Sequence, residues 1–162
     1  MQLKVALCLL LCCTALQAKV MQGVVTHVSD GDTLWLEVSK NAKPIKVRLQ
    51  GMDAPEICQP WGKEAGDALR GKLLRQRVSL NTRAKDDYDR ALGRIQLQGA
   101  DVGQWMVSQG HAWSYHHRRD PGPYIAEQRA AQGKRLGLWA QSGADAKIEP
   151  RQWRKTRGAC KH

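Results

Sequence analysis

The sequence has no internal repeats or low-complexity tracts, and acidic residues are few. A chain of 162 residues favours a single domain. A domain of this size buries roughly two thirds of its unfolded surface, which is enough for a stable core without disulfides or bound metals. Lysine and arginine number 26 against 15 aspartates and glutamates, giving a formal charge of +11. So large an excess favours a polyanionic partner, nucleic acid before an anionic membrane or glycan surface.

Long apolar runs are also missing, apart from one stretch near the start of the chain. Val5 to Ala15 is apolar but too short to span a bilayer. Lys4 precedes this stretch and the small residue Ala18 follows it, as in a cleavable secretory signal. A buried helix is the alternative, although the stretch has no polar face. We therefore expect a signal peptide over residues 1–18, export to the periplasm or the medium, and no membrane span after cleavage.

Cysteine is scarce, and three of the five cysteines, Cys8, Cys12 and Cys13, fall in the expected signal peptide. Export would leave Cys58 and Cys160 as the only thiols, in an oxidising space where disulfides persist. Two states are then open, one disulfide or two free thiols. A bridge would close a loop of about 100 residues, which the chain-entropy model values at up to about 4.7 kcal/mol.

Hydrophobic periodicity predicts an α+β fold. Period-two alternation and turn residues predict strands, and apolar residues at three- and four-residue steps predict helices. A small antiparallel barrel is the simplest arrangement that leaves no open edge. Residues 141–162 are expected to form a basic and partly disordered tail beyond a domain over 19–140. The predicted elements are strands over 20–28, 33–38, 45–50, 77–81 and 90–97, with helices over 63–75, after the N-cap Asp101, and over 124–135.

Strand alternation also predicts which side chains leave the barrel. In the second strand Leu34, Leu36 and Val38 are expected to face the core, which turns Thr33 outward. In the third strand Val47 and Leu49 face inward, so Arg48 projects from the other side. The same alternation turns Arg90 outward. Each arginine is thereby free to grip a phosphate through two parallel hydrogen bonds and to stabilise the charge of a pentavalent transition state.

Carboxylates flank the predicted position of Arg48. Asp32 lies in a hairpin turn and Asp53 lies just past a strand end. Two such hard oxygen donors, with a main-chain carbonyl and waters, suit a weak and exchangeable Ca²⁺ site. Glu56 follows at a distance that allows it to orient or deprotonate a water beside the ion. Each residue alone has an ordinary structural explanation, and only the joint pattern indicates a metal-assisted phosphoryl-transfer site.

Five motifs, taken together, point to a known family. In order and spacing they resemble the staphylococcal nuclease-like (thermonuclease) family over roughly residues 20–139. The stretch from Arg48 to Glu56 is the most specific of them. The motifs are Asp30-Gly31-Asp32-Thr33, Val47-Arg48-Leu49-Gln50-Gly51-Met52-Asp53-Ala54-Pro55-Glu56, Asp87-Tyr88-Asp89-Arg90, Gly110-His111-Ala112-Trp113-Ser114-Tyr115 and Gly137-Leu138-Trp139.

This resemblance implies a five-stranded OB-fold barrel with about three appended helices and Ca²⁺-dependent hydrolysis of DNA and RNA. It also implies departure of the 5′ oxygen, which leaves 3′-phosphate ends. A monomer is expected. By position the family roles fall on Asp32, Asp53 and the backbone carbonyl of Ala54 for the metal, Glu56 for the attacking water, Arg48 and Arg90 for phosphate, and Tyr88 and Tyr115 for the terminal nucleotide.

One departure concerns Asp89, which stands where the family usually has glycine before the second arginine. Aspartate tolerates a positive φ better than most residues, so the turn is expected to survive. The alternative function is a non-catalytic OB-fold module that binds nucleic acid. A protein that coats membrane or glycan surfaces would explain the charge but not the carboxylates.

Overall fold

Eight strands and four α-helices make up the described part of the chain, residues 19–158 and 160 of the computed structural model. The expected signal peptide lies outside the described residues. Within them, no helix is long and apolar enough to cross a membrane. The strands are β1 (Lys19–Val28), β2 (Thr33–Glu37), β3 (Ile45–Leu49), β4 (Met52–Asp53), β5 (Arg77–Lys85), β6 (Ala91–Leu97), β7 (Ala100–Asp101) and β8 (Trp113–Ser114). The helices are α1 (Gly62–Leu73), α2 (Val102–Ser108), α3 (Ile125–Gly133) and α4 (Pro150–Arg157), with a 3₁₀ turn over Gly137–Ala140.

Five of these strands close into a barrel. Antiparallel pairing runs in the order β3-β2-β1-β5-β6, and a parallel pairing of β3 with β6 joins the two ends. Closure leaves the barrel without an open edge. The predicted α+β class and five-stranded OB-fold barrel are therefore confirmed, with four appended α-helices where about three were predicted.

The barrel interior follows the predicted alternation. Four side chains that were predicted to face inward are fully buried, namely Leu34, Leu36, Val47 and Ile95. Leu34 on β2 and Val47 on β3 lie opposite each other in the sheet. The exception is Thr33, which was predicted to face outward but is only 1% exposed. Its hydroxyl donates a hydrogen bond to the carboxylate of Asp32, at 2.9 Å, which satisfies the buried polar group.

The helices pack on the barrel through the residues that their spacing predicts. In α1, Ala65, Leu69 and Leu73 recur every four residues and are fully buried. The short helix α2 begins as expected, because the Asp101 carboxylate accepts the backbone N–H of Gln104 at 3.1 Å. In both helices the local sequence pattern therefore agrees with the structure.

The fourth helix, α4, lies in the segment that was predicted to be a partly disordered basic tail. Pro150 occupies its first turn, where the missing N–H costs nothing. Trp153 on the inner face of α4 is only 8% exposed, so it packs against the domain instead of stacking on a base. Trp153 has polar residues on both sides in α4, so the sequence of this short helix shows no hydrophobic periodicity from which a helix could be predicted.

Cys58 and Cys160 are joined by a disulfide, with their Cα atoms 5.7 Å apart. The bridge spans 102 positions and links the loop before α1 to the residues just after α4. Of the two states left open by the sequence, the structure therefore contains the bridge.

Opening this disulfide should lower the free energy of unfolding by about 2–4 kcal/mol, because the unfolded chain regains the freedom of a long loop. Urea unfolding of the purified protein with and without reductant measures the change. The Cys58→Ser variant is the control, since reductant should leave its unfolding curve in place. A wild-type curve that does not move on reduction would contradict the expectation.

Candidate active site

A cleft of about 1050 Å³ opens on the barrel at the edge formed by β3, the loop after β4 and the loop before β6. Seven of the eight predicted site residues line this one cleft: Asp32, Arg48, Ala54, Glu56, Tyr88, Arg90 and Tyr115. The eighth, Asp53, is buried, but its carboxylate contacts the guanidinium groups of Arg48 and Arg154, and both arginines line the cleft.

Backbone geometry brings the two aspartates to the same place. The backbone carbonyl of Asp32 accepts the N–H of Leu49 at 2.8 Å, so the hairpin turn lies against the end of β3. Gly51 then turns the chain with a φ of +86°, a conformation that suits glycine, and delivers Asp53 in β4. Gly31 permits the close approach, since a Cβ there would lie 2.6 Å from the Cβ of Ala54.

Arg48 bridges the two aspartates. Its Nη1 lies 2.8 Å from Oδ1 of Asp32, and its Nη2 lies 2.5 Å from Oδ1 of Asp53. Both aspartates are only 4% exposed. The two carboxylates therefore meet at one guanidinium, and buried charges persist only when they are paired in this way.

Burial raises the pKa of Asp32 to about 6, although the nearby charge of Arg48 opposes the change. Burial likewise raises the pKa of Asp53, and the negative charge of Asp32 adds to the effect. The two carboxylates therefore repel each other in a poorly solvated place. An additional cation between them would relieve both effects.

The donor set fits a hard divalent cation such as Ca²⁺. Asp32 and Asp53 offer carboxylate oxygens, and Ala54, whose carbonyl is the predicted third ligand, donates its N–H to Oδ2 of Asp32 at 3.2 Å. Oxygen donors of this kind suit Ca²⁺ better than a softer metal. Among residues 19–158 and 160, no group of three or more His, Cys, Asp or Glu side chains is arranged to hold a metal. Weak and exchangeable binding by two carboxylates stays a prediction.

Glu56 lines the cleft, and its side chain is 27% exposed. Oε1 of Glu56 accepts a hydrogen bond from Nη1 of Arg154 in α4, at 2.6 Å. Arg154 also contacts Asp53, with 3.0 Å between Nη2 and Oδ2. Sequence patterns did not predict the contacts of Arg154 with Glu56 and Asp53, because no local pattern indicates a contact between residues that are 98 positions apart.

Arg90 lines the same cleft but has a different partner. Its Nε lies 2.7 Å from Oδ2 of Asp86, and its guanidinium lies over the ring of Tyr88 with 5.3 Å to the ring centre. Asp89 adopts a φ of +58°, as expected for a residue in the place of a glycine, and the turn is kept. Asp86 therefore holds Arg90 at the cleft while leaving it apart from the two aspartates.

The two predicted nucleotide contacts are exposed aromatic side chains of the cleft. Tyr88 is 79% exposed and Tyr115 is 42% exposed. Aromatic rings exposed beside a basic cleft are suited to stacking on bases. Both rings are therefore accessible to a nucleotide, and their role in binding one stays a prediction.

The raised pKa of Asp32 predicts a pH dependence of stability in the absence of metal. The folded protein holds this proton more tightly than the unfolded chain, so stability is lost as the pH rises from about 4 to 6, by roughly 3 kcal/mol for Asp32 alone. The amide of the Asp32→Asn variant does not titrate, so this variant should lack the part of the pH dependence of stability that comes from Asp32.

Melting temperatures in chelator at pH 4, 5, 6 and 7 measure this difference. Asp87→Asn, at an exposed aspartate of a neighbouring loop, is the control and should follow the wild type. Parallel pH curves for the wild type and Asp32→Asn would show that Asp32 is ionised normally in the folded protein.

Comparison with known proteins agrees with the geometry. Residues 46–141 match the family described as Staphylococcal nuclease homologue. The chain is 39% identical over 131 residues to a protein of Haemophilus influenzae named "Uncharacterized endonuclease", covering 81% of this chain and 71% of that protein. It is 36% identical over 146 residues to "Protein ParB" of Escherichia coli and 33% identical over 145 residues to "Micrococcal nuclease" of Shigella flexneri, each time covering 83% of this chain and 80% of the relative.

The family match and the names of these relatives confirm the predicted enzyme class, a nuclease-type hydrolase. The match spans more than half of the chain and includes Arg48, Asp53, Glu56 and Arg90. The chain therefore belongs to the staphylococcal nuclease homologue family, as its five motifs predict.

Proposed function

We propose that this protein is an exported, Ca²⁺-dependent nuclease that hydrolyses phosphodiester bonds of both DNA and RNA and leaves 3′-phosphate ends. The observation that carries the proposal is the meeting of Asp32, Asp53, Glu56 and Arg48 at one cleft that Arg90 also lines. A cleft of about 1050 Å³ with exposed tyrosines is roomy enough for a nucleic-acid strand.

The residues of the cleft divide the work. Asp32, Asp53 and the Ala54 carbonyl would hold the Ca²⁺, which supplies positive charge beside the reacting phosphate. Glu56 takes a proton from the attacking water. Arg48 and Arg90 donate hydrogen bonds to the phosphate oxygens, whose charge grows as the water approaches and the 5′ oxygen departs.

Arg48 has to exchange partners for this chemistry. In the free protein its two terminal nitrogens are engaged by Asp32 and Asp53. Asp32 and Asp53 would be neutralised by a bound divalent ion, which would leave the guanidinium of Arg48 available to the phosphate. Metal and substrate are therefore expected to favour each other's binding.

Two features of the chain support export. Residues 1–18 have the composition of a signal peptide, and a disulfide joins Cys58 to Cys160. Such bridges persist in oxidising spaces, namely the periplasm or the medium. The excess positive charge suits capture of nucleic acid there, with an affinity that falls as salt rises.

The purified protein should degrade both single-stranded and double-stranded DNA and RNA when Ca²⁺ is present. Chelation should stop cleavage and a second addition of Ca²⁺ should restore it, because Asp32 and Asp53 cannot neutralise the phosphate themselves. Gel analysis of end-labelled substrates gives the products and their 3′ ends. Full activity in chelator would remove the role of the metal, and tight binding without cleavage would select the non-catalytic module.

Glu56→Gln should lower kcat by at least about 10²-fold, because the amide cannot accept the proton of the attacking water. Substrate binding should be largely kept. Glu64→Gln is the matched control, since Glu64 is an exposed glutamate on α1. Steady-state cleavage of a short labelled oligonucleotide measures the effect, and a fully active Glu56→Gln variant would assign the base to another group.

A further inference from the structure

The helix α4 supplies a third arginine to the cleft. Arg154 lies 2.6 Å from Oε1 of Glu56 through Nη1, and 3.0 Å from Oδ2 of Asp53 through Nη2. Its side chain is 36% exposed and lines the cleft beside Arg48. One planar guanidinium thus joins the predicted base to a predicted metal ligand, a geometry that the two-donor fork of arginine allows and a lysine does not.

The carboxylate of Glu56 depends on this contact. Among residues 19–158 and 160, Arg154 is the only group that hydrogen-bonds the Glu56 carboxylate. The backbone of Glu56 is held in a turn, because its N–H donates to Oε1 of Gln59 at 3.2 Å and its carbonyl accepts the N–H of Gln59 at 2.8 Å, but these bonds do not engage the carboxylate. A long, partly exposed glutamate side chain without a partner would sample several rotamers. The guanidinium restricts it to one.

Arg154 itself is held firmly. Trp153 next to it is only 8% exposed, and Arg157 makes two contacts, of 2.8 and 3.0 Å, to the carboxylate of Asp145. Before the helix, the Ile148 carbonyl accepts the side-chain amide of Gln59 at 2.5 Å. The Gln59 bond ties the segment before α4 to the loop that carries Glu56, and the other two contacts hold α4 itself in place.

The disulfide ties the same two segments together. Cys58 lies two residues after Glu56, and Cys160 lies six residues after Arg154. The only disulfide in the described part of the chain therefore links the loop that carries Glu56 to the residues that follow the helix of Arg154.

We propose that Arg154 is a positioning residue for hydrolysis, which holds the Glu56 carboxylate beside Asp53 so that the water it deprotonates lies in line with the phosphate. This inference rests on the proposed nuclease function and extends the site to the last helix of the domain. A misplaced base is costly, because a displacement of about 1 Å can lower a rate on the order of 10²-fold. A merely structural ion pair would affect stability instead of kcat.

The first test compares Arg154→Ala with Arg154→Lys in steady-state cleavage of a labelled oligonucleotide at saturating Ca²⁺. The alanine variant should lose between about tenfold and 10²-fold in kcat with KM within about twofold of the wild type. The lysine variant keeps the charge but lacks the planar fork of donors that aligns the two carboxylates, so its kcat should lie between the two. Arg151→Ala, at an exposed arginine on the same helix, should match the wild type.

A double-mutant cycle with Glu56→Gln separates positioning from a direct role. If Arg154 acts through Glu56, its removal should have no further effect on kcat in the Glu56→Gln background. Melting temperatures of all variants show whether they fold. The lysine variant keeps the test valid if the alanine variant does not fold.

The outcomes distinguish this inference from the function on which it rests. An unchanged kcat in Arg154→Ala, or the same fold-loss in both backgrounds, would overturn the positioning role while the nuclease stands. A loss that appears only in KM would overturn it as well. Absence of any cleavage by the wild type would overturn both proposals together.

Discussion

The site depends on the balance between buried carboxylates and guanidinium groups. Asp32 and Asp53 are nearly inaccessible to water, and each would be unstable as an isolated charge. Arg48 bridges them, and Arg154 adds a second guanidinium on Asp53. Removing one member would leave an unpaired charge in a poorly solvated place, a costly outcome. The positions of the two buried carboxylates are therefore set by the guanidinium groups that neutralise them.

The barrel makes this balance possible because it is closed. The pairing of β3 with β6 fixes Arg48 opposite Leu92, and the antiparallel pairing of β2 with β3 sets Arg48 opposite Thr33. Register errors of one residue would turn Arg48 into the core. A rigid sheet thus sets the positions of charged side chains that would repel or miss one another on a flexible loop.

Local patterns predicted most of the fold and most of the site. Period-two alternation gave the strands and placed Arg48 outside the core, and the turn motif located Asp32. Alternation did not predict the burial of Thr33. It takes no account of the hydrogen bond that the Thr33 hydroxyl donates to the carboxylate of Asp32, which allows the hydroxyl to be buried. The contacts of Arg154 were not predicted because its partners lie 98 and 101 positions away, and single-sequence patterns carry no information on such contacts.

The order of the chain has a consequence for when the site is assembled. The acids and Arg48 leave the ribosome early, whereas Arg154 follows Glu56 by 98 positions and Cys160 follows Cys58 by 102 positions. The bridge can form only after both cysteines have been synthesised and only where thiols are oxidised. A molecule in a reducing compartment would therefore hold its acids without the covalent tie to α4, and oxidation of the two thiols would complete the architecture of the cleft.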